Sequence, residues 1–479
     1  MSTEPSAVIA PGANDPKRFL NRPQWADMQG LVLSAYPRLD RAVYLFYAVD
    51  RPSLTKWWLD GIRDRVTSAF KNTPTRYRRS GRPRCNVNIG FTASGLRKLA
   101  GSIAHFGDAF SEGIDGQAHR SRLLGDIERN APEGWRWGGA GHRVDVLLML
   151  FAETSEALEA EMAELLPPAA DAMHEVARVT ATALRDMNQH EHFGFKDGIS
   201  QPILKGTTDA ERFPESIHIT AVGEFVLGYP DSSGRAVGVE DATGRTVPFP
   251  AAGRIADFGR NGTYLVARQL QQYVDRFQSA MLERTRIDGR DDVEAATRLA
   301  SKIIGRWPDG TPLVPYANEY DNEFLFSEDP YGQGCPIGAH IRRANPRDTF
   351  DNHALSPEPR NNRRLLRRGR SYGPRPGARP DEERGLLFLC LNASIERQFE
   401  FIQQNWINNP AFAGLQDEED PLVGSTVRRA LRGGTVTIGS VPAPVCVRGL
   451  PDFVTVKGGE YFFLPGLTAL AGLAGHADR

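Results

Sequence analysis

The sequence has little of what several classes of protein require. It has four cysteines in 479 residues, and no two of them form a C-x-x-C pair. This argues against a zinc ribbon and a disulfide scaffold, and free thiols fit a reducing compartment. The formal net charge is only −1, whereas a dedicated nucleic-acid binder is usually strongly basic.

Long apolar runs are also missing. No stretch approaches the roughly 18 residues that a membrane helix needs, and residues 1–17 lack the charged start and apolar core of a secretory signal. We therefore expect a soluble, cytoplasmic protein with no membrane partner. The length allows two or three average domains, each with its own core.

The hydrophobic pattern of the first half alternates between strands and helices. Period-2 or continuous apolar runs predict strands, and apolar residues at helical spacing predict a helix after the first strand and another after the third. This order is the split βαβ arrangement of a ferredoxin-like domain. The predicted strands are Arg41–Val49, Cys85–Phe91, Val144–Ala152 and His174–Leu184, and the predicted helices are Leu54–Val66 and Ser155–Leu166.

A similar order returns in the second half, which indicates duplication of a domain rather than a repeat array. We therefore predict an α+β fold of two ferredoxin-like domains, residues 31–205 and 206–479, after an N-terminal arm of residues 1–30. The second set of predicted strands is Tyr264–Ala267, Leu386–Leu391 and Tyr461–Leu464, with helices at Leu270–Met281 and Ile395–Trp406.

The stretch Cys335–Arg347 (CPIGAHIRRANPR) carries the first candidate site. It puts His340 after a turn marked by Pro and Gly and follows it with Arg342, Arg343 and Arg347. A neutral imidazole is a common ligand to iron, and haem carries two carboxylates that need cations nearby. Taken alone, the same pattern also fits a turn with a packed histidine and solvated arginines.

A second stretch, Phe193–Pro202 (FGFKDGISQP), holds Asp197 between Gly194 and Gly198. It is too broken by Gly and Pro to be a regular element. Glycine lets the backbone approach a flat ligand closely, although most Asp-Gly pairs simply make turns.

Together these stretches resemble the signatures of the dye-decolourising peroxidase family. Its GxxDG motif matches Gly194–Gly198, and its downstream H-x-R motif matches His340–Arg342. A third match is Leu366–Gly373 (LRRGRSYG), in which Arg367 looks like the family's distal arginine. Three motifs in the family's order make the resemblance specific.

The resemblance implies one haem b per chain, with His340 as the iron ligand. Asp197 would take a proton from peroxide and return it to the departing oxygen. Arg367 would stabilise the negative charge that develops as the O–O bond breaks. Four further residues would contact or flank the haem: Gly194, Gly198, Arg342 and Arg347.

Three side chains near the proposed haem have competing explanations. Leu386 and Phe388 stand two apart and so point to one face of their strand; the family has Leu-x-Phe over the haem, and ordinary core packing fits equally well. Glu396 is our candidate for the carboxylate that holds the other N–H of His340. Alternatively, Glu396 only benefits from its place at a helix N-terminus.

Two other patterns predict different chemistry. His190 and His192 form an H-x-H pair, which would suit a non-haem metal, but no third ligand follows at diagnostic spacing. Residues 341–380 hold eleven arginines against three acidic residues, which would suit nucleic acid. Tyr372 is the only aromatic residue that interleaves these arginines near the third motif, so we predict no nucleic-acid partner.

We therefore predict a haem peroxidase that uses hydrogen peroxide to oxidise bulky aromatic donors such as dyes and phenolics. The alternatives are a haem-handling or chlorite-cleaving enzyme on the same fold, and a non-catalytic haem carrier. A homo-oligomer is compatible with the sequence. Electrons would leave through a surface Trp or Tyr, and the sequence does not choose among the tyrosines and Trp25, Trp135, Trp137 and Trp307.

Overall fold

The structure is a computed structural model that describes residues 23–72, 85–101, 106–116, 118–166, 169–183, 190–234, 236–237, 248–251, 254–315, 317, 321–350, 363–377, 382–440 and 442–475. The strands are β1 (Arg41–Val49), β2 (Cys85–Phe91), β3 (Val146–Ala152), β4 (Met173–Thr182), β5 (Ile203–Leu204), β6 (Ile219–Thr220), β7 (Tyr229–Pro230), β8 (Ala236–Val237), β9 (Pro248–Ala251), β10 (Arg254–Asp257), β11 (Thr263–Gln272), β12 (Leu366–Arg367), β13 (Arg370–Tyr372), β14 (Gly385–Asn392), β15 (Gly434–Ile438), β16 (Val445–Leu450) and β17 (Val454–Leu464).

Helices cover this framework and connect its strands. Two π-helical turns, Glu396–Glu400 and Gln403–Ile407, follow β14. The α-helices are α1 (Pro52–Ile62), α2 (Ala93–Ala100), α3 (Asp108–Glu112), α4 (Ala118–Leu124), α5 (Ser155–Leu165), α6 (Thr208–Arg212), α7 (Val274–Thr285), α8 (Val293–Ile304), α9 (His340–Ala344), α10 (Val427–Arg432) and α11 (Leu467–Leu473).

The main sheet consists of two halves with the same strand order. Its nine strands run β11-β17-β2-β3-β1-β4-β13-β14-β12, and β14 also pairs with β11, so the sheet closes on itself. The first half reads β4-β1-β3-β2 and the second reads β17-β11-β14-β13. Single residue pairs join the halves, Phe463 with Phe91 and Tyr372 with Ala181. The predicted α+β fold with a repeated ferredoxin-like arrangement is confirmed, while the domain boundaries remain a prediction.

Both faces of the central strands are buried, as the nearly continuous apolar run of β1 predicts. Val43 and Leu45 belong to a cluster under the helices, whereas Tyr44 and Phe46 belong to a second cluster. The second cluster draws residues from β1, β3, β11, β14 and β17. Strands of both halves therefore share one apolar core.

Two expectations differ from the structure. Leu270 was assigned to a helix, but it lies in β11 opposite Leu386 and Val456 because cross-strand pairing outweighs its helical spacing. Residues 1–22 of the expected arm lie outside the described residues, and Met28 is fully buried rather than loose. The Gln29 side chain donates a 2.8 Å hydrogen bond to the Ile89 carbonyl, which fixes this segment to β2.

Two negative expectations concern cysteines and membranes. All four cysteines are free thiols, as their spacing predicts. Within the described ranges, no helix combines the length and the apolar character needed to cross a membrane.

Candidate active site

A cavity of about 310 Å³ lies against the second half of the sheet, within the usual size range of small-molecule sites. Leu386 and Phe388 of β14 both line it, as their two-residue spacing predicts. The lining also carries charged side chains from widely separated segments. Its aromatic part consists of Phe193, Phe195, Phe324, Phe326, Phe388 and Phe399.

His340 begins helix α9 and lines this cavity. Its Nδ1 lies 2.9 Å from Oδ2 of Asp420, whose side chain is fully buried. Burial lowers the pKa of His340, but the Asp420 charge and hydrogen bond raise it more. Because Nδ1 is held by Asp420, Nε2 is the ring nitrogen left for a ligand in the cavity.

The expectation that Glu396 supports His340 is wrong. The Glu396 carboxylate instead accepts a 2.8 Å hydrogen bond from the Ala109 backbone N–H, in the first turn of α3. Glu396 is also absent from the cavity lining. The alternative expectation placed Glu396 at the N-terminus of its own helix. The carboxylate does bind a helix N-terminus, but that of α3. The sequence does not single out Asp420, which stands in the acidic run of residues 417–420.

Asp197 and Arg367 meet inside the cavity. Arg367 Nη1 donates to Asp197 Oδ1 at 2.7 Å, although the residues are far apart in sequence. Burial raises the pKa of Asp197. The charge and hydrogen bond of Arg367, together with the Gly198 N–H, lower this pKa by more, so its net shift is downward. The carboxylate is therefore ionised near neutral pH. The charge of His340 also acts on the pKa of Asp197.

Among the described arginines between residues 363 and 370, only Arg367 forms a hydrogen bond with Asp197. Arg368 and Arg370 donate to backbone carbonyls of residues 31–39. Arg363 donates to the Arg397 carbonyl, and Arg364 lines the cavity but contacts His218. The pairing of β12 with β14 thus directs the Arg367 side chain to the cavity, while its neighbours bind other partners.

Two of the three arginines that follow His340, Arg342 and Arg347, have different surroundings. The Arg342 guanidinium is buried, donates to the carbonyls of Asp329 and Cys335, and stacks over Phe326. The Arg342 side chain does not line the cavity, and the expectation that it contacts or flanks the cofactor stays a prediction. Arg347 does line the cavity, as expected.

The two glycines of the GxxDG motif also differ. Gly198 lines the cavity, but Gly194 does not, and the expectation that Gly194 contacts or flanks the cofactor stays a prediction. Both have positive φ, 95° for Gly194 and 82° for Gly198. A Cβ at either position would meet no other protein atom within 4 Å, and the positive φ of the turn is what favours glycine at both positions.

One side of the cavity carries three arginines that the sequence did not single out as a group. Arg306, Arg347 and Arg364 are buried, and none forms an ion pair with a carboxylate of the described residues. Arg306 and Arg347 share the Asn322 side-chain oxygen. Burial lowers their pKa values to about 10, about 9 and about 10, respectively.

The H-x-H pair does not form a metal centre. His192 is buried, and its Nε2 lies 2.8 Å from the Tyr372 carbonyl oxygen. His190 forms a backbone bridge with Lys196. No group of three or more His, Cys, Asp or Glu side chains within the described segments could hold a metal ion.

Comparisons with known proteins agree over nearly the whole chain. The family profile described as "Dyp-type peroxidase, C-terminal" matches residues 251–418. The multifunctional dye peroxidase DyP2 of an Amycolatopsis species is 31% identical over 93% of this chain and 95% of its own length. The dye-decolorizing peroxidase msp1 of Mycetinis scorodonius is 27% identical over 93% of this chain and 86% of its own length.

Solved structures give the same result. An ancestral D-type dye-decolorizing peroxidase has 26% identity and a TM-score of 0.75, over 93% of this chain and 98% of that chain. A DyP-type peroxidase from Anabaena has 25% identity and a TM-score of 0.75, over 95% of both chains. The protein is therefore a peroxidase. It belongs to the dye-decolourising, or DyP-type, family of haem peroxidases.

Proposed function

We propose that the cavity holds one haem b per chain, bound through Nε2 of His340. The carboxylate-backed histidine and the aromatic walls suit an iron porphyrin. Buried cations without counter-ions are costly, and Arg306, Arg347 and Arg364 would be balanced by the two haem carboxylates. The residues present therefore fit this cofactor.

We further propose that Asp197 and Arg367 handle peroxide. The haem, when bound, supplies the redox chemistry. The ionised Asp197 carboxylate accepts a proton from the incoming peroxide and returns it to the departing oxygen, a contribution typically worth about 10²–10⁴-fold in rate. Arg367 keeps this carboxylate ionised and adds a fixed positive charge where negative charge develops.

Bulky aromatic compounds such as dyes and phenolics are the proposed donors, with hydrogen peroxide as the acceptor. The support comes from the curated relatives, several of which are named as dye peroxidases. A cytoplasmic location remains a prediction. The observation that carries the proposed peroxidase mechanism is the 2.7 Å pair of Asp197 and Arg367 in the same cavity as His340.

Haem handling is a second candidate function, favoured by one observation. A deferrochelatase of Yersinia pestis is 31% identical over 122 residues, but this covers only 26% of this chain and 25% of its own length. A non-catalytic haem carrier would not need the Asp197–Arg367 pair. The peroxidase relatives, in contrast, match nearly the full chain.

The test starts from protein purified with haem. Addition of peroxide should change the Soret spectrum, an anthraquinone dye should restore it, and a pyridine haemochrome spectrum should identify haem b. Iron-free porphyrin released without dye oxidation would support the haem-handling candidate. Neither reaction, with haem retained, would support a carrier.

A further inference from the structure

Glu191 is a second carboxylate in the cavity, and the proposed reaction assigns it no role. Its side chain lines the same cavity as Asp197. Oε2 accepts hydrogen bonds from the Phe193 N–H at 2.9 Å and from Gln272 Nε2 at 2.7 Å, and Oε1 accepts one from the Phe195 N–H at 3.1 Å. Two of these donors, Phe193 and Phe195, belong to the segment just before Asp197, and the third, Gln272, is the last residue of β11.

The backbone shows what these contacts hold together. The Glu191 N–H donates to the Phe195 carbonyl at 2.9 Å, and the Gly194 N–H donates to the Glu191 carbonyl at 2.9 Å. The chain thus folds back on itself just before Asp197, and the Glu191 carboxylate binds the inward-facing N–H groups of this turn. Gln272 then connects the turn to β11, whose Arg268 and Leu270 also line the cavity.

We propose that Glu191 is a positioning residue for Asp197: its carboxylate fastens the turn that precedes Asp197 to the end of strand β11. This inference deepens the proposed function and rests on it. A misplacement of about 1 Å in a reacting group can cost on the order of 10²-fold in rate. The fastening matters because only one residue, Lys196, separates Asp197 from Phe195.

The charge of Glu191 adds a pH-dependent signature. Burial raises the pKa of Glu191 to about 7; hydrogen bonds from Phe193, Gln272 and Phe195 lower it, and the charge of Asp197 raises it. Asp197 is the charged residue that acts on the pKa of Glu191, and the β11 partner Gln272 is neutral. Lys196 of the same segment and Arg268 of β11 are the other charged side chains of these two segments in the cavity lining. Below the folded-state pKa, a proton occupies an oxygen that otherwise accepts a hydrogen bond, so the fastening weakens as the pH falls through neutrality.

The chain offers a matched control in Glu460. This buried carboxylate also accepts two backbone N–H groups, from Tyr461 at 2.8 Å and Ile114 at 3.3 Å. Burial raises its pKa to about 8, yet it does not line the cavity. Glu460→Gln therefore reproduces the loss of a buried, hydrogen-bonded carboxylate at a distance from Asp197.

The first measurement needs no cofactor. Hydrogen–deuterium exchange of haem-free protein should be faster in the peptide that covers residues 190–198 of Glu191→Gln. The amide nitrogen of Gln replaces one carboxylate oxygen and cannot accept a hydrogen bond, so the N–H of either Phe193 or Phe195 loses its acceptor. Glu460→Gln should leave this peptide at the wild-type rate. Equal exchange of the 190–198 peptide in Glu191→Gln and wild type would overturn the proposal.

The second measurement uses the haem-loaded enzyme. Glu191→Gln should retain the wild-type Soret spectrum but slow the spectral change on adding peroxide by about tenfold or more at pH 8. In wild type, the rate of this spectral change should fall in part as the pH drops through about 7, the pKa of Glu191. This inflection should be absent from Glu191→Gln, since no carboxyl remains at position 191 to titrate. If Glu191→Gln does not fold, Gln272→Leu removes the shortest of the three hydrogen bonds and should slow the same step by a smaller factor.

A purely structural role gives a different result. It would lower the melting temperature of Glu191→Gln while the peroxide step and its pH profile stay at wild-type values, or Glu460→Gln would slow that step equally. Either result overturns the inference. If wild-type protein itself binds no haem or does not react with peroxide, the proposed function fails instead. The exchange measurement on haem-free protein then still shows whether the Glu191 carboxylate holds the turn before Asp197.

Discussion

Oδ2 of Asp420 lies 2.9 Å from Nδ1 of His340, although eighty residues separate them in the chain. The other oxygen of Asp420 accepts the N–H groups of Leu422 and Val423 at 2.9 Å and 2.8 Å. The carboxylate is therefore held in place before any ligand enters the cavity. This arrangement fixes which ring nitrogen of His340 faces a ligand and makes that nitrogen a better donor.

Replacing His340 should remove the axial ligand. We expect His340→Ala to lose haem during purification or to show an altered Soret spectrum, because its Nε2 is the proposed bond to iron. His174→Ala serves as the control, since His174 is exposed and pairs with Asp50. An unchanged Soret spectrum in His340→Ala contradicts the ligand assignment.

Replacing Asp420 should weaken the ligand without removing it. We expect Asp420→Asn to bind haem with about 10–100-fold lower affinity and a shifted Soret band, since loss of an outer-shell partner typically has an effect of this size. Titration of haem-free protein with haem measures both. Asp145→Asn, which changes a buried carboxylate outside the cavity, should leave the spectrum unchanged.

The distal pair should act on peroxide and not on haem retention. Arg367→Leu and Asp197→Ala should keep the Soret band but slow the spectral change on adding peroxide, with about 10²–10⁴-fold expected for the loss of Asp197. Arg368→Leu should leave that step unchanged, since its guanidinium donates to the carbonyls of Leu31 and Val32. A wild-type rate in Arg367→Leu combined with a slow Arg364→Leu would move the role to Arg364.

Bulky donors should be oxidised through an accessible aromatic residue. The structure narrows the candidates, because Trp135 and Trp137 are 2% and 0% exposed and so are not surface residues. Trp57 and Tyr331, at 66% and 81%, are among the most exposed aromatics of the described chain. Peroxide-dependent labelling with a radical trap, read by mass spectrometry, should mark an exposed Trp or Tyr. No label on any of them would favour direct access to the haem.

Apart from the partial inflection near pH 7 expected from Glu191, the peroxide step should survive mild acid. The pKa of Asp197 lies below its ordinary value, because Arg367 outweighs the effect of burial. A base with a lowered pKa is present above that pKa and lost only as the pH falls through it, here below the ordinary carboxyl value of about 3.9. A histidine base would instead be lost by charging near pH 6.5.

Donor oxidation consumes protons, so dye turnover should peak on the acidic side, at roughly pH 4–5.5. Measuring the peroxide step and dye oxidation separately, from about pH 3.5 to 8, distinguishes the two effects. A steep loss of the peroxide step below about pH 6.5 that is the same in Asp197→Asn would identify a histidine such as His192 as the base.

The sequence alone predicted whatever depends on local pattern. Alternation and apolar runs gave the main strands to within a few residues, because side chains alternate across a strand wherever it packs. The duplicated order of elements gave the ferredoxin-like halves. The resemblance to the family's motifs singled out His340, Asp197 and Arg367, and all three line one cavity.

Only the tertiary structure decided which side chains meet. Asp420 rather than Glu396 supports His340, and Arg342 turns to backbone carbonyls while Arg347 lines the cavity. Nothing within a few residues of His340 or Glu396 indicates their partners, since Asp420 and Ala109 come from distant segments. A buried charge takes the partner that the folded chain brings within hydrogen-bonding distance, and packing between distant segments, not the local sequence, sets that distance.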